Sequence, residues 1–206
     1  MLISFMKIST WRISTITGLE RLTELKVLIV NNTITILFIL NIILFINVRL
    51  FALKVLNLAG NLIRKVTGVQ NLGCVEELNL RWGEFTLSFE KHLNLLTVVA
   101  FRRNRIRTTE GLQSVPSLQK LYMSNNEIQG LGSLVKLESL VRLQTLQMEG
   151  NPVWSNPDYS SHLVSCLPSL STLDQQDVTP EMKGSAKRWL FKSLQDDLNL
   201  VKVAGE

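Results

Sequence analysis

A chain of 206 residues, 46% hydrophobic and 19% charged, is long enough to bury one continuous core. Its 22 basic and 17 acidic residues leave a formal charge of +5, a modest excess rather than the dense basic surface of a nucleic-acid binder, so direct nucleic-acid binding is not expected. The two cysteines, Cys74 and Cys166, stand far apart without metal spacing; they read as small buried thiols in a reducing compartment, and a cytoplasmic or cytoskeletal chain is the default.

Taken in order, Met1–Ile8 carries little positive charge and reads as a strand rather than a secretory leader. Ile3, Met6, Ile8, Ile13, Ile16, Leu19, Leu22 and Leu25 form one apolar repeat. No polar capping segment precedes it, as expected of a fragment of a longer solenoid or an abbreviated chain. Residues 27–48 then run without a charge, long enough for a membrane span, yet Asn31, Asn32, Asn41 and Asn47 interrupt them. The tetrapeptide Leu25-Lys26-Val27-Leu28 recurs as Leu53-Lys54-Val55-Leu56, so removing 28 residues restores a regular period. The first reading of 29–52 is therefore an apolar insertion. An irregular extra repeat and a true span at 27–48 are the alternatives.

The next stretch sets the organisation. From Leu53 to Ile63 the spacing is L-x-x-L-x-L-x-x-N-x-I, with Leu56, Asn57 and Leu58 alternating in, out and in as a short half-buried strand requires. Aligned on the first inward residue, Met6, Leu28, Leu56, Leu78, Val99, Leu121 and Leu146 follow at steps of 22, 28, 22, 21, 22 and 25. The second inward residues are Ile8, Val30, Leu58, Leu80, Phe101, Met123 and Met148. One such unit cannot bury its own apolar face, so the units must stack. Between strands, Ile63, Val66, Val69, Leu72 and Val75 keep a rhythm of three that suits tight helical turns. The asparagine column reads Trp11, Thr33, Asn61, Gly83, Asn104, Asn126, Asn151, so the turn amide is expected to be best served from Val99 onward.

This pattern resembles the short leucine-rich repeats of the Sds22-type class, regulators of protein phosphatase-1. The resemblance implies an α/β solenoid: a horseshoe with a parallel concave sheet and short helical or 3-10 turns on the convex side. Residues 1–178 then form one solenoid. Its last part, 151–178, carries Asn151-Pro152-Val153, Pro157, Tyr159, Leu163, Leu167-Pro168-Ser169-Leu170 and Leu173-Asp174, and resembles the C-terminal cap of Sds22-type, U2 snRNP A′-type and axonemal dynein light-chain-1-type proteins. Tyr159, Leu163 and Leu167 fall at spacing four, one helical face. Residues 179–206 form a helical tail opened by Thr179-Pro180-Glu181. Its stripe Leu190, Leu194, Leu198, Val201 is read first as packing on the cap, and second as a partner surface.

Chemistry is scarce. His92 and His162 are read as having no cysteine or carboxylate at ligand spacing, and no phosphate loop or nucleophile elbow occurs. Glu76-Glu77 reads as a solvated or partner-facing pair. No catalytic residue, cofactor, metal or small-molecule substrate is expected. The concave face is what remains. Arg81, Trp82, Arg102, Arg103, Lys120, Tyr122, Gln147 and Glu149 lie on or just beyond its strands, and Trp, Tyr and Arg are the residue types that dominate interface energetics. Arg102, Arg103, Arg105 and Arg107 read first as a solvated basic edge and second as a dock for an acidic partner segment.

The expected function is a non-catalytic protein–protein interaction scaffold. Resemblance to ciliary and axonemal repeat proteins, including the repeat subunit of the tubulin polyglutamylase complex, implies a cytoskeletal or ciliary setting and a tubulin tail as one such acidic segment. A ribonucleoprotein subunit of the U2 snRNP A′ kind, in the nucleus, or a protein phosphatase-1 regulator is the alternative.

Overall fold

The computed structural model describes residues 4–8, 24–31, 52–60, 74–82 and 94–204. Among them, nine strands make one sheet in sequence order: β1 Phe5–Ile8, β2 Val27–Val30, β3 Val55–Asn57, β4 Glu77–Asn79, β5 Val98–Ala100, β6 Lys120–Tyr122, β7 Thr145–Gln147, β8 Thr172–Leu173 and β9 Gln176–Asp177. β1 to β8 pair in parallel, and β9 turns back antiparallel on β8. The protein is thus a leucine-rich-repeat solenoid with a parallel sheet.

Register follows the inward leucines. Met6, Leu28, Leu56, Leu78, Val99, Leu121 and Leu146 stack in one column. From Leu28 onward each is buried, as are Val30, Leu58, Leu80, Phe101, Met123 and Met148 two residues later. The period of two puts these side chains in the core and leaves their neighbours on the concave surface. Main-chain bonds join rung to rung just before each strand: Glu76 N donates to Lys54 O at 2.8 Å, Thr97 N to Glu76 O at 2.9 Å, and Gln119 N to Thr97 O at 2.8 Å.

Opposite the sheet, 3-10 helix occurs at Leu112–Ser114, Leu131–Ser139 and Pro152–Ser155, whereas Ile63, Val66, Val69 and Leu72 of the rhythm of three lie outside the described residues. Leu112, Leu134, Leu137 and Val153 point inward from these segments. Pro152 opens one of them, because its fixed φ and missing N–H suit a first helical position.

The asparagines that fall within the described residues hold consecutive rungs together. Asn126 Nδ2 donates to Phe101 O at 3.0 Å and Met123 O at 2.8 Å, while its Oδ1 accepts from Ile106 N at 3.1 Å. Asn151 repeats the arrangement one rung on, with Met123 O, Met148 O and Ile128 N. Asn104 reaches back to Leu80 O and Phe101 O, both at 2.8 Å. Trp11, Thr33, Asn61 and Gly83 of the same column, and His92, lie outside the described residues. So do residues 32–51 of the apolar stretch, although Ile29 and Val30 at its start belong to β2.

One residue before the asparagine-column position, which is Gly83 after β4, every rung from β3 to β7 turns through the left-handed region: Gly60 (φ 74°), Trp82 (58°), Arg103 (59°), Asn125 (58°) and Gly150 (74°). A Cβ on Gly150 would lie 2.6 Å from Asn125 Oδ1. Gly150→Ala is expected to cost about 1–3 kcal/mol, combining left-handed strain with that clash. Gly132→Ala, where a Cβ meets open space, should stay within about 0.5 kcal/mol of the parent. Denaturant midpoints of the two variants check this, and equal losses would refute it.

The end of the solenoid is closed by helix α1, Tyr159–Cys166, and the β8–β9 hairpin. Tyr159, Leu163, Leu167, Leu170 and Leu173 are all buried. Asp174 and Gln175 form the two-residue hairpin turn, both at positive φ (49° and 69°), the backbone that a tight hairpin of this length requires. Asp174 accepts from Met148 N and from Tyr159 Oη, each at 2.7 Å. Burial raises the Asp174 carboxyl above its usual range and likewise raises the Tyr159 phenol.

Helix α2, Pro180–Ala204, starts where Thr179 Oγ1 accepts from Met182 N at 3.2 Å. The expected packing stripe is corrected here. Ala186 is buried, Met182 packs on the core, and Trp189 is half-buried, whereas Leu190, Phe191 and Leu194 are exposed. The contact face therefore lies one position, or about 100°, from the one the leucines mark. Among the described residues no helix is long and apolar enough to cross a membrane.

Candidate partner-binding site

A short strand that ends in a left-handed turn carries its next side chains to the rim of the concave face. Because every rung turns at the same offset, residues from successive rungs meet there. Arg81, Trp82, Arg102, Arg103, Ser124, Asn125, Glu149 and Gln175 line one cleft of about 290 Å³. Main-chain bonds fix its spacing: Trp82 N donates to Arg102 O and Arg103 N to Ser124 O, both at 3.0 Å, and Asn125 N to Glu149 O at 2.8 Å.

Two cation–aromatic pairs order the arginines. The Arg103 guanidinium lies 5.6 Å from the Trp82 ring centre, and that of Arg102 lies 5.0 Å from Tyr122, within the range of a favourable contact. Arg102 Nη2 also donates to Gln147 Oε1. Trp82 remains 53% exposed although a bulky residue at positive φ is strained by about 1–2 kcal/mol. Strain of this kind gathers at functional surfaces.

Electrostatically the cleft is one-sided. Three guanidiniums face a single carboxylate, Glu149, whose Oε1 already accepts from Gln175 Nε2 at 2.6 Å. Burial, and then the neighbouring Arg102 charge, lower the Arg81 pKa, the sign of crowded cations. Arg81 Nε, Arg102 Nε and Ser124 Oγ are buried with no hydrogen-bond partner among the described residues. Buried polar groups normally find a partner.

Of the residues anticipated for the site, Arg81, Trp82, Arg102, Arg103 and Glu149 line the cleft, and Tyr122 and Gln147 support it through Arg102. Lys120 does not line it; it is exposed two residues earlier on β6. The arginine cluster also divides. Arg107 turns to Glu127, Nε to Oε2 at 2.9 Å, at a separate, larger groove of about 1000 Å³. No aromatic side chain lines that groove, and its arginine is already paired, so it offers less to a charged ligand. Glu76 likewise pairs with Lys54 at 2.8 Å, an exposed contact, worth little to stability. Gln175 is a lining residue that sequence spacing did not reveal, since only the cap hairpin brings it there.

Two further expectations are corrected. Cys74 is exposed and Cys166 half-buried, not core thiols, because Cys74 sits in the turn before the inward Val75. His162 does have ligand-type neighbours: Cys166, one turn along α1, and Glu138, from the 3-10 segment of the preceding rung, place their ligand atoms within 4.8 Å of its own and of each other. The four-residue spacing of His162 and Cys166 carried that signal, whereas Glu138 is brought in by the fold. Burial lowers the His162 pKa and raises that of the Cys166 thiol.

Comparison with known proteins agrees with the fold. The leucine-rich-repeat family profile matches residues 86–204. Leucine-rich repeat-containing protein 51 of Bos taurus is 36% identical over 73 residues, 35% of this chain and 38% of that protein. Centrosomal protein of 72 kDa of Mus musculus is 32% identical over 109 residues, 52% of this chain and 17% of that protein. Among solved structures, a chain of the Drosophila melanogaster SNF/U2A′ complex superposes with a TM-score of 0.61 at 25% identity, covering 67% of this chain and 82% of that one. The chain spans less than half the length of these curated relatives. A parallel ladder of leucine-bearing rungs, an asparagine at each resolved turn from Asn104 on, and a profile match over more than half the residues make this chain a member of the leucine-rich-repeat family.

Proposed function

We propose that the protein is a non-catalytic interaction scaffold that holds an acidic, extended segment of a partner protein in the cleft between Arg81 and Gln175. The observation that carries this reading is the set of buried, unpaired groups at the cleft, Arg81 Nε, Arg102 Nε and Ser124 Oγ, beneath an exposed tryptophan. Carboxylates supply acceptors for the arginine donors, and an arginine matches them in bidentate geometry as lysine does not. Adjacent strands lie about 4.8 Å apart, so a segment laid across β4, β5 and β6 meets Trp82, Arg103 and Asn125 in turn. A tubulin tail is one such segment, and likeness to a centrosomal protein supports a cytoskeletal or ciliary setting.

The test is titration of a glutamate-rich tubulin-tail peptide, by fluorescence anisotropy, at low and high salt. Trp82→Ala and the double variant Arg102→Ala/Arg103→Ala are each expected to weaken binding at least about tenfold, or about 1.4 kcal/mol, without lowering the melting temperature. The arginine contribution should fade with salt, because exposed charges are screened over about 8 Å at physiological ionic strength. The tryptophan contribution should persist, being mostly apolar burial. Binding indifferent to all three side chains would move the site elsewhere.

A second reading has its own support. The fold match to a chain of the SNF/U2A′ complex favours a ribonucleoprotein subunit that engages a protein partner. Affinity capture from cell extract separates the two: tubulin-associated proteins support the first reading and snRNP proteins the second.

A further inference from the structure

We infer that Glu138, His162 and Cys166 form a site for a divalent transition metal of the zinc class, joining the cap helix to the convex side of the preceding rung. The three ligand atoms lie within 4.8 Å of one another, and the Cys166 Sγ–Glu138 Oε1 distance is 3.6 Å. In a tetrahedral zinc site with a Zn–S bond of about 2.3 Å and a Zn–O bond of about 2.0 Å, sulfur and oxygen stand about 3.5 Å apart. That edge of the tetrahedron is already in place. His162 and Cys166 share one face of α1 at a spacing of four, which lets imidazole and thiol converge on a single ion.

The surroundings suit a metal better than they suit a nucleophile. A neutral imidazole offers a ring-nitrogen lone pair, and a cysteine ligates zinc as its thiolate. Binding converts the thiol to thiolate and releases its proton to solvent. One nitrogen, one sulfur and one carboxylate oxygen are the borderline-soft donor set that zinc accepts and that calcium or magnesium does not. Glu138 is exposed, so the fourth position opens to water. Trp189 packs edge-on against the His162 ring, with centroids 5.6 Å apart, and its fluorescence reports on the site. Ser165 Oγ, 3.8 Å from Cys166 Sγ, donates to His162 O at 2.7 Å and helps fix the helix turn that carries both ligands.

The experiment uses the full chain, reduced and without an affinity tag, titrated with Co²⁺ and then Zn²⁺. One Co²⁺ per chain is expected, with thiolate-to-cobalt charge-transfer absorption that Zn²⁺ abolishes, quenched tryptophan emission, and a melting temperature raised by Zn²⁺. Cys166→Ser should remove the thiolate band, while His162→Ala and Glu138→Gln should each lower Zn²⁺ affinity by at least about tenfold. Glu138→Gln neutralises an exposed carboxylate while keeping its shape, and so stays informative where a cap variant unfolds. Cys74→Ser, at the other free thiol, should leave binding unchanged. Absence of a thiolate band, or a band lost in Cys74→Ser and kept in Cys166→Ser, would overturn the assignment.

Discussion

Leu121→Asp is expected to abolish cooperative folding, while Tyr122→Ala leaves the solenoid intact. Leu121 is fully buried at the middle of β6, between Val99 and Leu146 of the neighbouring rungs. Truncating such a side chain costs about 2–5 kcal/mol, and a carboxylate without a partner in the same place adds several more. Against a total stability of about 5–15 kcal/mol, little remains. Tyr122 is half-exposed on the concave side, and its loss removes the ring beneath Arg102, about 1 kcal/mol. Circular dichroism melts decide the matter. Similar losses in both variants would mean that β6 has the opposite face inward.

The second large effect is expected from Asn126→Ala. The carboxamide serves three buried main-chain groups, Phe101 O, Met123 O and Ile106 N, on two rungs. Each group left without a partner costs about 1–3 kcal/mol. Partial relaxation makes the three less than additive, so the total should be about 3–6 kcal/mol. Asn125→Ala, at the exposed left-handed position next to it, should cost only about 1 kcal/mol, the difference between two residue types at positive φ. A urea midpoint for Asn126→Ala within about 1 kcal/mol of the parent would show that the asparagine column does not hold the rungs together.

Much of the architecture was legible because it repeats. A period of two within the strands and a step near 22 between them identify the same inward column that the strand register shows, from Met6 to Leu146. The rim residues were legible for the same reason: Trp82, Arg103 and Asn125 occupy one offset in successive rungs, so alignment alone makes them neighbours. Features that do not repeat were harder to read. Gln175 enters the cleft only because the Asp174–Gln175 turn folds back over the last rung. The face of α2 that meets the cap depends on where that helix lands, and a small residue, Ala186, fits there while Leu190 and Leu194 stay outside. Lys120, at the start of β6, lies outside the cleft because proximity along a strand is not proximity to the rim.

The cleft joins residues from opposite ends of a run of rungs, Arg81 after β4 and Gln175 after β8. Solenoids change in evolution by gaining and losing whole units, and a binding surface that is uniform along its length survives such editing. This one is measured out in rungs. Between residues 81 and 175 the unit count acts as a ruler, and one unit more or fewer would part the arginines from the hairpin that completes their pocket. A unit gained or lost before β4 would leave the spacing from Arg81 to Gln175 as it is.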